Sequence, residues 1–406
     1  MGFYPFRHQP VKAIYLTYQL ITTLFFRFPF WIITSIPRSL RPRKSWDLRR
    51  TVIVKFTRHM INLTSKTGPL VKTPNHLAIT PIKEVGHVPG LWISPASPKY
   101  ITGSLELWAR VAEVSAIRIP GYWLHKKGST IEAGASPMPG EKVVLALHGG
   151  AYIRLSAHPS DVTAGIARGL LEHCDNVQRV FSPEYRLSST EPWDVANPFP
   201  AALLDALAAY QYLVEEVGFA PSDIIVEGDS AGGNLAQALT RYLVEYRDSI
   251  QPLAPPSALV LLSPWADITH THCGPASTLA KHRDSDYLDI SADPAHSSSY
   301  ASHALTGPHG LGFADKNPYL SPASLSLKNE DVSFAGFPRT FLVVGGAEVL
   351  YDQDYTLKER MVRSMGEEKV RWYEAKDGIH DYVALAIHEP ERTDTLKAIA
   401  KWIKEE

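Results

Sequence analysis

The sequence predicts an α/β protein whose mostly parallel central sheet is flanked by helices on both faces. Short apolar runs at 143–147 and 258–262 have the length and composition of fully buried strands. They alternate with longer helical patterns, such as the Ala/Leu-rich stretch 200–217. This alternation is typical of parallel strands joined by crossover helices.

The elements follow one another in a regular order after a turn-rich loop that ends near residue 140. We predict strands at 143–147, 177–182, 224–227, 258–262, 340–344 and 370–374, and helices at 161–173, 200–217, 234–246 and 393–404. The chain therefore divides into an N-terminal segment 1–45, a cap or extension 46–140, and a catalytic domain 141–406. A polar, His/Ser/Asp-rich stretch at about 267–321 is predicted to be a cap insertion in that domain.

Composition excludes several classes of protein. The 406 residues carry a formal net charge of -1 and are 45% hydrophobic, so no basic surface for nucleic acid is expected. Two cysteines, Cys174 and Cys273, rule out a disulfide framework, and we expect both thiols to be free. Metal-ligand spacings are also missing, and His270-Thr271-His272 is predicted to be loop surface rather than a metal site. We expect neither a metal nor a cofactor.

The N-terminal segment contains an apolar run at 13–36. Its 24 residues would extend roughly 36 Å as a helix, long enough to cross a bilayer core. Gln19, Arg27 and Pro29 disfavour a simple span, because an arginine near the centre costs roughly 2.5–3.5 kcal/mol. A signal anchor, a hairpin, an in-plane amphipathic helix and a buried helix of the catalytic domain all remain open, and membrane association is the favoured interpretation.

The side of the membrane is not fixed by the sequence. Basic residues after the apolar run outnumber Arg7 and Lys12 before it, which would hold the catalytic domain in the cytosol. The sequon Asn62-Leu63-Thr64 would instead be modified only in a secretory lumen. We expect an endomembrane such as the endoplasmic reticulum. The basic residues after the run are Arg38, Arg41, Arg43, Lys44, Arg49 and Arg50.

The strongest chemical signal is the pattern G-x-S-x-G at 228–232, between a predicted strand and a predicted helix. A serine hydroxyl is a weak nucleophile, so it has to sit on a sharp turn where a base can reach it. Small neighbours allow that turn. The pattern alone could also be a glycine-rich turn capped by Ser230 or Asp229.

A second motif favours catalysis. His148-Gly149-Gly150-Ala151 follows the strand at 143–147, about eighty residues before Ser230. Backbone amides beside glycines are able to donate to a developing oxyanion. The two motifs together indicate an acyl-transfer site.

These motifs resemble those of the hormone-sensitive-lipase-like esterases of the α/β-hydrolase fold, which carry an HGG loop and a GDSAGG turn. The similarity covers roughly residues 141–385 and is greatest to fungal membrane-tethered members, including steryl acetyl hydrolases. Further matching segments are Pro183–Leu187, Phe199–Ala202 with Asp205, and Asn317–Pro322.

The resemblance implies roles for individual residues. Ser230 would be the nucleophile, and the amides of Gly149, Gly150 and Ala231 would form the oxyanion hole. His148 would order its loop by hydrogen bonds rather than transfer protons. His380, in Asp377-Gly-Ile-His380 after the last strand, would be the general base.

Two acidic residues are candidates for the third member of the triad. Glu348 stands where the family usually has aspartate, and a glutamate is able to orient and stabilise an imidazolium equally well. Asp352 matches a second acidic position that is usually not catalytic. We therefore favour Glu348 over Asp352.

The expected activity is hydrolysis of small-molecule carboxylic esters. Membrane association and the resemblance favour a short acyl group on an apolar alcohol, such as a sterol, a lipid or a secondary metabolite. A lipase acting on longer chains is an alternative. So is a non-catalytic small-molecule-binding protein on the same scaffold, as in gibberellin receptors, which lack a usable histidine base. A membrane-tethered protein with a vestigial site would show a damaged motif, and the sequence shows none.

Overall fold

The structure is a computed structural model that describes residues 2–82, 90–247, 253–291, 296 and 298–405. Residues 83–89, within the predicted N-terminal extension, lie outside the described residues, as do 292–295 and 297 in the predicted cap insertion. All residues discussed below belong to the described part.

The core of the molecule is one sheet of eight strands in the order β1-β2-β4-β3-β5-β6-β7-β8. Strands β3 to β8 are parallel, whereas β2 pairs antiparallel with both β1 and β4. The predicted fold class is therefore confirmed. The strands are β1 Leu91–Ile93, β2 Ile119–His125, β3 Lys142–Leu147, β4 Val177–Pro183, β5 Ile224–Asp229, β6 Ala258–Leu262, β7 Arg339–Gly345 and β8 Val370–Ala375.

Helices cover both faces of the sheet because alternate strand residues point to opposite sides. In β3, Val143 and Leu145 belong to one apolar core, and Val144 belongs to the other. Helices α6, α7 and α11 pack on the first core, and α5 and α12 on the second. The helices are α1 Val11–Thr22, α2 Phe28–Ser35, α3 Leu48–Thr67, α4 Gly103–Val111, α5 Ala164–His173, α6 Ala201–Gln211, α7 Ala231–Glu245, α8 Thr278–Lys281, α9 Ser299–Thr306, α10 Leu311–Asp315, α11 Tyr351–Met365 and α12 Glu391–Lys404.

Most predicted elements lie within a few residues of the observed ones. The predicted helix at 200–217 is α6 followed by a π-helical turn, Tyr212–Val217. A larger difference concerns the segment 46–140, which we expected to be cap or extension. It contributes β1 and β2 to the central sheet, so it is partly continuous with the catalytic domain. Strand β2 was not predicted because Pro120 and Gly121 interrupt its apolar pattern.

The N-terminal segment forms α1, a π-helical turn Thr23–Arg27 and α2, a continuous helical run over Val11–Ser35. By length and composition this run is able to cross a membrane. It packs antiparallel to α3: the Lys55 ammonium donates to Ser35 Oγ at 2.9 Å, and Thr23 Oγ1 lies 2.9 Å from His59 Nε2. Helix α3, the next α-helix along the chain, thus connects the run to the catalytic domain.

The prediction that His270-Thr271-His272 is loop surface is wrong, because His270 is buried and the His272 side chain is 9% exposed. His272 contacts Asp267 through Nδ1 at 3.0 Å and Thr356 through Nε2 at 2.9 Å, and His270 stacks on Trp265. Within the described ranges no group of three His, Cys, Asp or Glu side chains is arranged to hold a metal ion. Cys174 and Cys273 are both free, as expected.

Candidate active site

Ser230 lies on a sharp turn between the end of β5 and the start of α7. Its backbone has φ 51° and ψ -116°, a conformation that non-glycine residues rarely adopt. The turn leaves no room for side chains at its flanks: a Cβ on Gly228 would lie 2.2 Å from the Gly232 carbonyl oxygen, and a Cβ on Gly232 would lie 1.8 Å from the Leu147 carbonyl oxygen. The glycines of the motif are therefore steric requirements of the turn.

His380 meets Ser230 at this turn. The Oγ of Ser230 and the Nε2 of His380 are 2.9 Å apart, a hydrogen-bonding distance, although the two residues are separated by 150 positions. The loop that carries His380 follows β8 and is held by the Ala347 amide, which donates to the Gly378 carbonyl at 2.8 Å. Both side chains are buried.

Glu348 lies on the opposite side of the imidazole. Its Oε2 is 3.9 Å from His380 Nδ1, within ion-pair range but longer than a hydrogen bond. The hydroxyl of Ser263 donates to the same oxygen at 2.6 Å. Asp352 lies elsewhere, because its carboxylate accepts from the Thr278 amide at 2.8 Å at the start of α8. The structure thus brings Glu348, and not Asp352, to the imidazole.

Three further carboxyl groups surround the pair. Asp381 Oδ2 lies 3.1 Å from His380 Nε2, the nitrogen that also contacts Ser230. Asp286, from the cap insertion, accepts from the Val349 amide at 2.8 Å, and Asp354, from α11, is in side-chain contact with Glu348. Ser263, Asp286, Asp354 and Asp381 were not identified from the sequence. Only Asp381 had a local signal, its position next to His380.

These charges set the protonation of the site. Burial alone lowers the pKa of His380, but Asp381, Glu348 and Asp286 together raise it to about 9. Burial raises the pKa of Glu348 to about 7, and the nearby His380 opposes that rise. Burial also raises the pKa of Asp354 well above its usual range, and Glu348 adds to the effect. A proton is therefore stabilised on the imidazole, and a second one on Asp354.

The loop His148–Ala151 places its amides beside the turn. The Gly149 amide donates to Asp229 Oδ1 at 3.0 Å, so the prediction that it donates to an oxyanion is wrong in this structure. Gly149 still has to be glycine, since a Cβ there would lie 2.4 Å from Asp229 Oδ2. Asp229 thereby ties the loop to the strand that carries Ser230.

Other amides remain directed away from protein acceptors. Gly150 has φ 106° and Ala151 has φ 55°, so the loop turns sharply after Gly149. Across the part of the chain that the structure describes, the amides of Gly150, Ala151 and Ala231 donate no hydrogen bond. Ala151 is thus a candidate donor that the sequence did not suggest.

His148 stabilises this loop. Its ring stacks on Tyr185 with centroids 4.2 Å apart, and the Tyr185 hydroxyl donates to the His148 carbonyl at 2.5 Å. Nδ1 lies 2.7 Å from the Gly149 carbonyl. Burial lowers the pKa of His148 to about 4, so the ring is neutral at pH 7 and suited to ordering the loop rather than to proton transfer.

Three more contacts connect neighbouring segments around the site. The Asn234 side chain accepts from the Tyr152 hydroxyl at 2.8 Å and donates to the Leu320 carbonyl at 2.8 Å, joining α7 to the residue after the His148–Ala151 loop and to the segment Asn317–Pro322. Arg186 and Asp205 form a buried ion pair at 2.8 Å behind the loop. These polar groups fix the elements that surround Ser230.

The comparison with family models gives one match, to the alpha/beta hydrolase fold, over residues 144–384. A hormone-sensitive lipase from a metagenome library has a similar structure, with a TM-score of 0.52 and 26% sequence identity over 70% of this chain and 81% of that chain. The matched region contains Ser230, Glu348 and His380.

Curated relatives have names in the same class. The chain is 35% identical over 168 residues to an acetyl-hydrolase of Streptomyces hygroscopicus, covering 41% of this chain and 48% of that protein. It is 27% identical over 337 residues to esterase LipU of Mycobacterium tuberculosis, with coverage of 81% and 99%. It is 27% identical over 137 residues to steryl acetyl hydrolase 1 of Saccharomyces cerevisiae, with coverage of 33% and 29%. The chain thus spans about half the length of the acetyl-hydrolase.

Proposed function

Since the chain belongs to the α/β-hydrolase family and resembles its hormone-sensitive-lipase-like esterases, we propose that it is a serine carboxylic-ester hydrolase with the triad Ser230, His380 and Glu348. One observation carries the proposal: the Ser230 hydroxyl is 2.9 Å from His380 Nε2 on a turn that places it at the end of β5. A nucleophile held against a base in this way is the arrangement that acyl transfer requires.

The proposed reaction passes through an acyl-enzyme. His380 Nε2 takes the proton of Ser230 as Oγ attacks the ester carbonyl, and the resulting imidazolium is stabilised by Glu348. The tetrahedral intermediate then collapses, and His380 returns the proton to the departing alcohol. A water molecule, activated by the same nitrogen, attacks the acyl group and releases the acid and free Ser230.

The oxyanion would be stabilised by backbone amides of Gly150, Ala151 and Ala231. Gly150 and Ala231 are retained from the sequence analysis, and Ala151 replaces Gly149 because the latter already donates to Asp229. Removing one such donor in other enzymes lowers turnover by about 10²–10³-fold, so this loop would supply a large share of the rate.

We infer short-chain, acetyl-like esters of an apolar alcohol as substrates. The names of the Streptomyces and yeast relatives support an acetyl group, and the yeast name supports a sterol. The apolar N-terminal run supports membrane lipid as the environment, and we propose an endomembrane as the location. Longer acyl chains are the alternative within the same mechanism.

The experiment is turnover of p-nitrophenyl esters from acetyl to palmitoyl by the purified protein, beside Ser230→Ala. We expect turnover that is greatest with acetyl or butyryl and at least about 10⁴-fold lower in the variant. Circular dichroism should show that the variant is folded.

Three outcomes would change the proposal. Full activity of folded Ser230→Ala would exclude the acyl-enzyme mechanism. Turnover that increases with chain length would favour a lipase. Absence of turnover with every ester, combined with saturable binding of an apolar ligand, would instead favour the binding-protein function.

A further inference from the structure

The N-terminal helical run presents its polar residues to the protein. Gln19, Thr23, Arg27 and Ser35 are spaced by four or eight positions and so lie on one side of the helix. Gln19, Thr23 and Ser35 are buried. The contacts of Thr23 with His59 and of Ser35 with Lys55 bind this side to α3. Thr23 and Ser35 on the polar side of the run therefore have polar partners within the protein.

The opposite side of the run is an apolar surface that the described residues leave uncovered. Phe25 is 65% exposed and Phe30 is 64% exposed, although both are large aromatic side chains. An uncovered apolar patch of this kind marks an interaction surface. We call it the apolar face; its exposed members are Ile14, Tyr18, Leu20, Ile21, Leu24, Phe25, Phe26, Phe30, Ile32, Ile33 and Ile36.

Contacts before the run attach it to the catalytic domain. The Phe3 ring packs on Tyr300 of α9 with centroids 5.3 Å apart, and the Phe6 amide donates to the Lys66 carbonyl at 2.9 Å. The residues that precede α1 therefore touch both the cap and the end of α3.

Contacts after the run attach it to the same domain. The Trp46 indole donates to the Asp377 carbonyl at 3.0 Å, three residues before His380. Arg43 donates to the Gly346 carbonyl at 2.5 Å, beside Glu348. A helix that crossed a bilayer would have its two ends on opposite sides, about 30 Å apart across the hydrocarbon core. Both ends of this run are held by one folded body, so crossing would require that body to enter the bilayer.

Basic side chains accompany the apolar face. Arg38, Lys44 and Arg49 are exposed just after the run. Cationic residues beside an apolar helical surface favour anionic phospholipid, because each adds about 1 kcal/mol of attraction to the headgroups. The combination suits the interface of a bilayer rather than a protein groove.

Helix α3, against which the run packs, contacts a part of the cap insertion that reaches the active site. Helix α3 contacts the cap insertion through Asn62, whose amide donates to Asp289 at 3.2 Å, and through Arg58 with Asp284 at 3.6 Å. The same stretch of the insertion carries Tyr287, whose ring centroid is 5.9 Å from that of His380. The N-terminal run is therefore joined, through α3 and the cap insertion, to the surroundings of His380.

From these observations we propose that Val11–Ser35 is a monotopic membrane-docking helix that lies in the plane of one leaflet and does not cross the bilayer. Its occupant is the surface of a phospholipid bilayer. Docking holds the catalytic edge beside the membrane, where an apolar ester is able to enter from the lipid. The proposal is independent of the triad chemistry, and it replaces the signal-anchor geometry considered from the sequence.

The first test measures flotation of the full chain with vesicles of phosphatidylcholine and phosphatidylserine. We expect Phe25→Asp and Phe30→Asp each to lower vesicle binding at least about tenfold, because a charge is expensive in the apolar layer. Val195→Asp is the matched control, since Val195 is 62% exposed but lies outside the apolar face. It should bind like the unaltered protein, and unchanged binding of all three variants would overturn the proposal.

The second test measures which side of the membrane each end of the run occupies. Gly2→Cys and Ser39→Cys, each in a Cys273→Ser background, are reconstituted on sealed vesicles and treated with a membrane-impermeant maleimide. Both introduced thiols should react as readily as Cys273 does in the unaltered chain, which reports the side of the catalytic domain. Reaction of one and protection of the other would show a crossing helix and overturn the proposal.

Two further measurements distinguish membrane docking from a loss of esterase activity and from dimer formation. Turnover of soluble p-nitrophenyl acetate without vesicles should be equal in Phe25→Asp and the unaltered protein, so a failed esterase assay and a failed docking assay are distinguishable. A second copy of the chain on the apolar face would give a dimer that Phe25→Asp dissociates while vesicle binding persists. That result would also overturn the proposal.

Discussion

The two halves of the candidate triad are built in different ways. The Ser230 turn is fixed by backbone sterics, since Gly228 and Gly232 each occupy a position where a Cβ would collide with a carbonyl oxygen. On the Glu348 side, Ser263 donates to the carboxylate, and Asp286 and Asp354 influence its pKa; these residues come from separate parts of the chain. We therefore expect the Ser230 turn to tolerate few substitutions. Substitutions among the charged groups around Glu348 should instead shift the pKa values of the site.

The largest effect is expected at the acid itself. Glu348→Gln removes the charge that stabilises the imidazolium, so turnover should fall on the order of 10³–10⁴-fold. Asp352→Asn is the matched control and should lose less than about threefold, because Asp352 is bonded to Thr278 instead. Steady-state kinetics with p-nitrophenyl acetate checks the ranking, and the reverse order would assign the acid to Asp352.

Adding one methyl group at a glycine tests the steric requirement of the Ser230 turn. Gly232→Ala places a Cβ against the Leu147 carbonyl, so we expect the free energy of unfolding to fall by about 3 kcal/mol or more. Gly312→Ala adds the same methyl group where no atom lies within 4 Å, and it should change stability by less than about 1 kcal/mol. Urea unfolding measures both, and equal stabilities would show that the turn relaxes freely.

The pH profile of kcat/KM tests the effect of the carboxyl groups around His380. The base acts only when neutral, so kcat/KM should rise with pH towards the pKa of His380 at about 9. Asp381 raises that pKa, and Asp381→Asn should therefore move the acid limb to lower pH by about one unit. Movement to higher pH, or an unchanged limb, would contradict the role given to Asp381.

The smallest effect is expected at Asp354. Burial raises the pKa of its carboxyl and so favours the protonated form, which is able to donate to Glu348. Asp354→Asn retains a donor and should keep turnover within about threefold, whereas Asp354→Leu removes the donor and should lower kcat more than it changes KM. Thermal unfolding of both variants separates this effect from a loss of structure. Equal kcat in the two would show that the donor is not needed.

The predicted family is confirmed. It could be predicted from the sequence because its motifs consist of neighbouring residues. In the G-x-S-x-G turn and the His148–Ala151 loop, adjacent residues together satisfy one steric or hydrogen-bonding requirement. Each motif is therefore identifiable as a short pattern in the sequence. The prediction for Gly149 was wrong because the hydrogen bond of its amide depends on residues that are far apart in the chain. Which amide of the loop faces Asp229, and which faces away, depends on where β5 lies relative to β3.

Strands β1 and β2 were missed for a related reason. Their pairing is decided by neighbours: β2 lies antiparallel to β4, and its Gly121 lies against the ring of Phe181. A short run that contains proline and glycine carries little strand signal by itself. Pairing partners that are distant in sequence supply what the local pattern lacks.

The sequence by itself determined the α/β class, the turn that carries the proposed nucleophile, the position of the proposed base and the apolar N-terminal run. These depend on periodicity and on short motifs, which are properties of neighbouring residues. Only the tertiary structure decided that Glu348 faces the imidazole, that Asp381 and Asp286 surround it, and that the apolar run is held at both ends by the catalytic domain. Electrostatic contacts and helix docking depend on distances between residues far apart in the chain, and folding sets those distances.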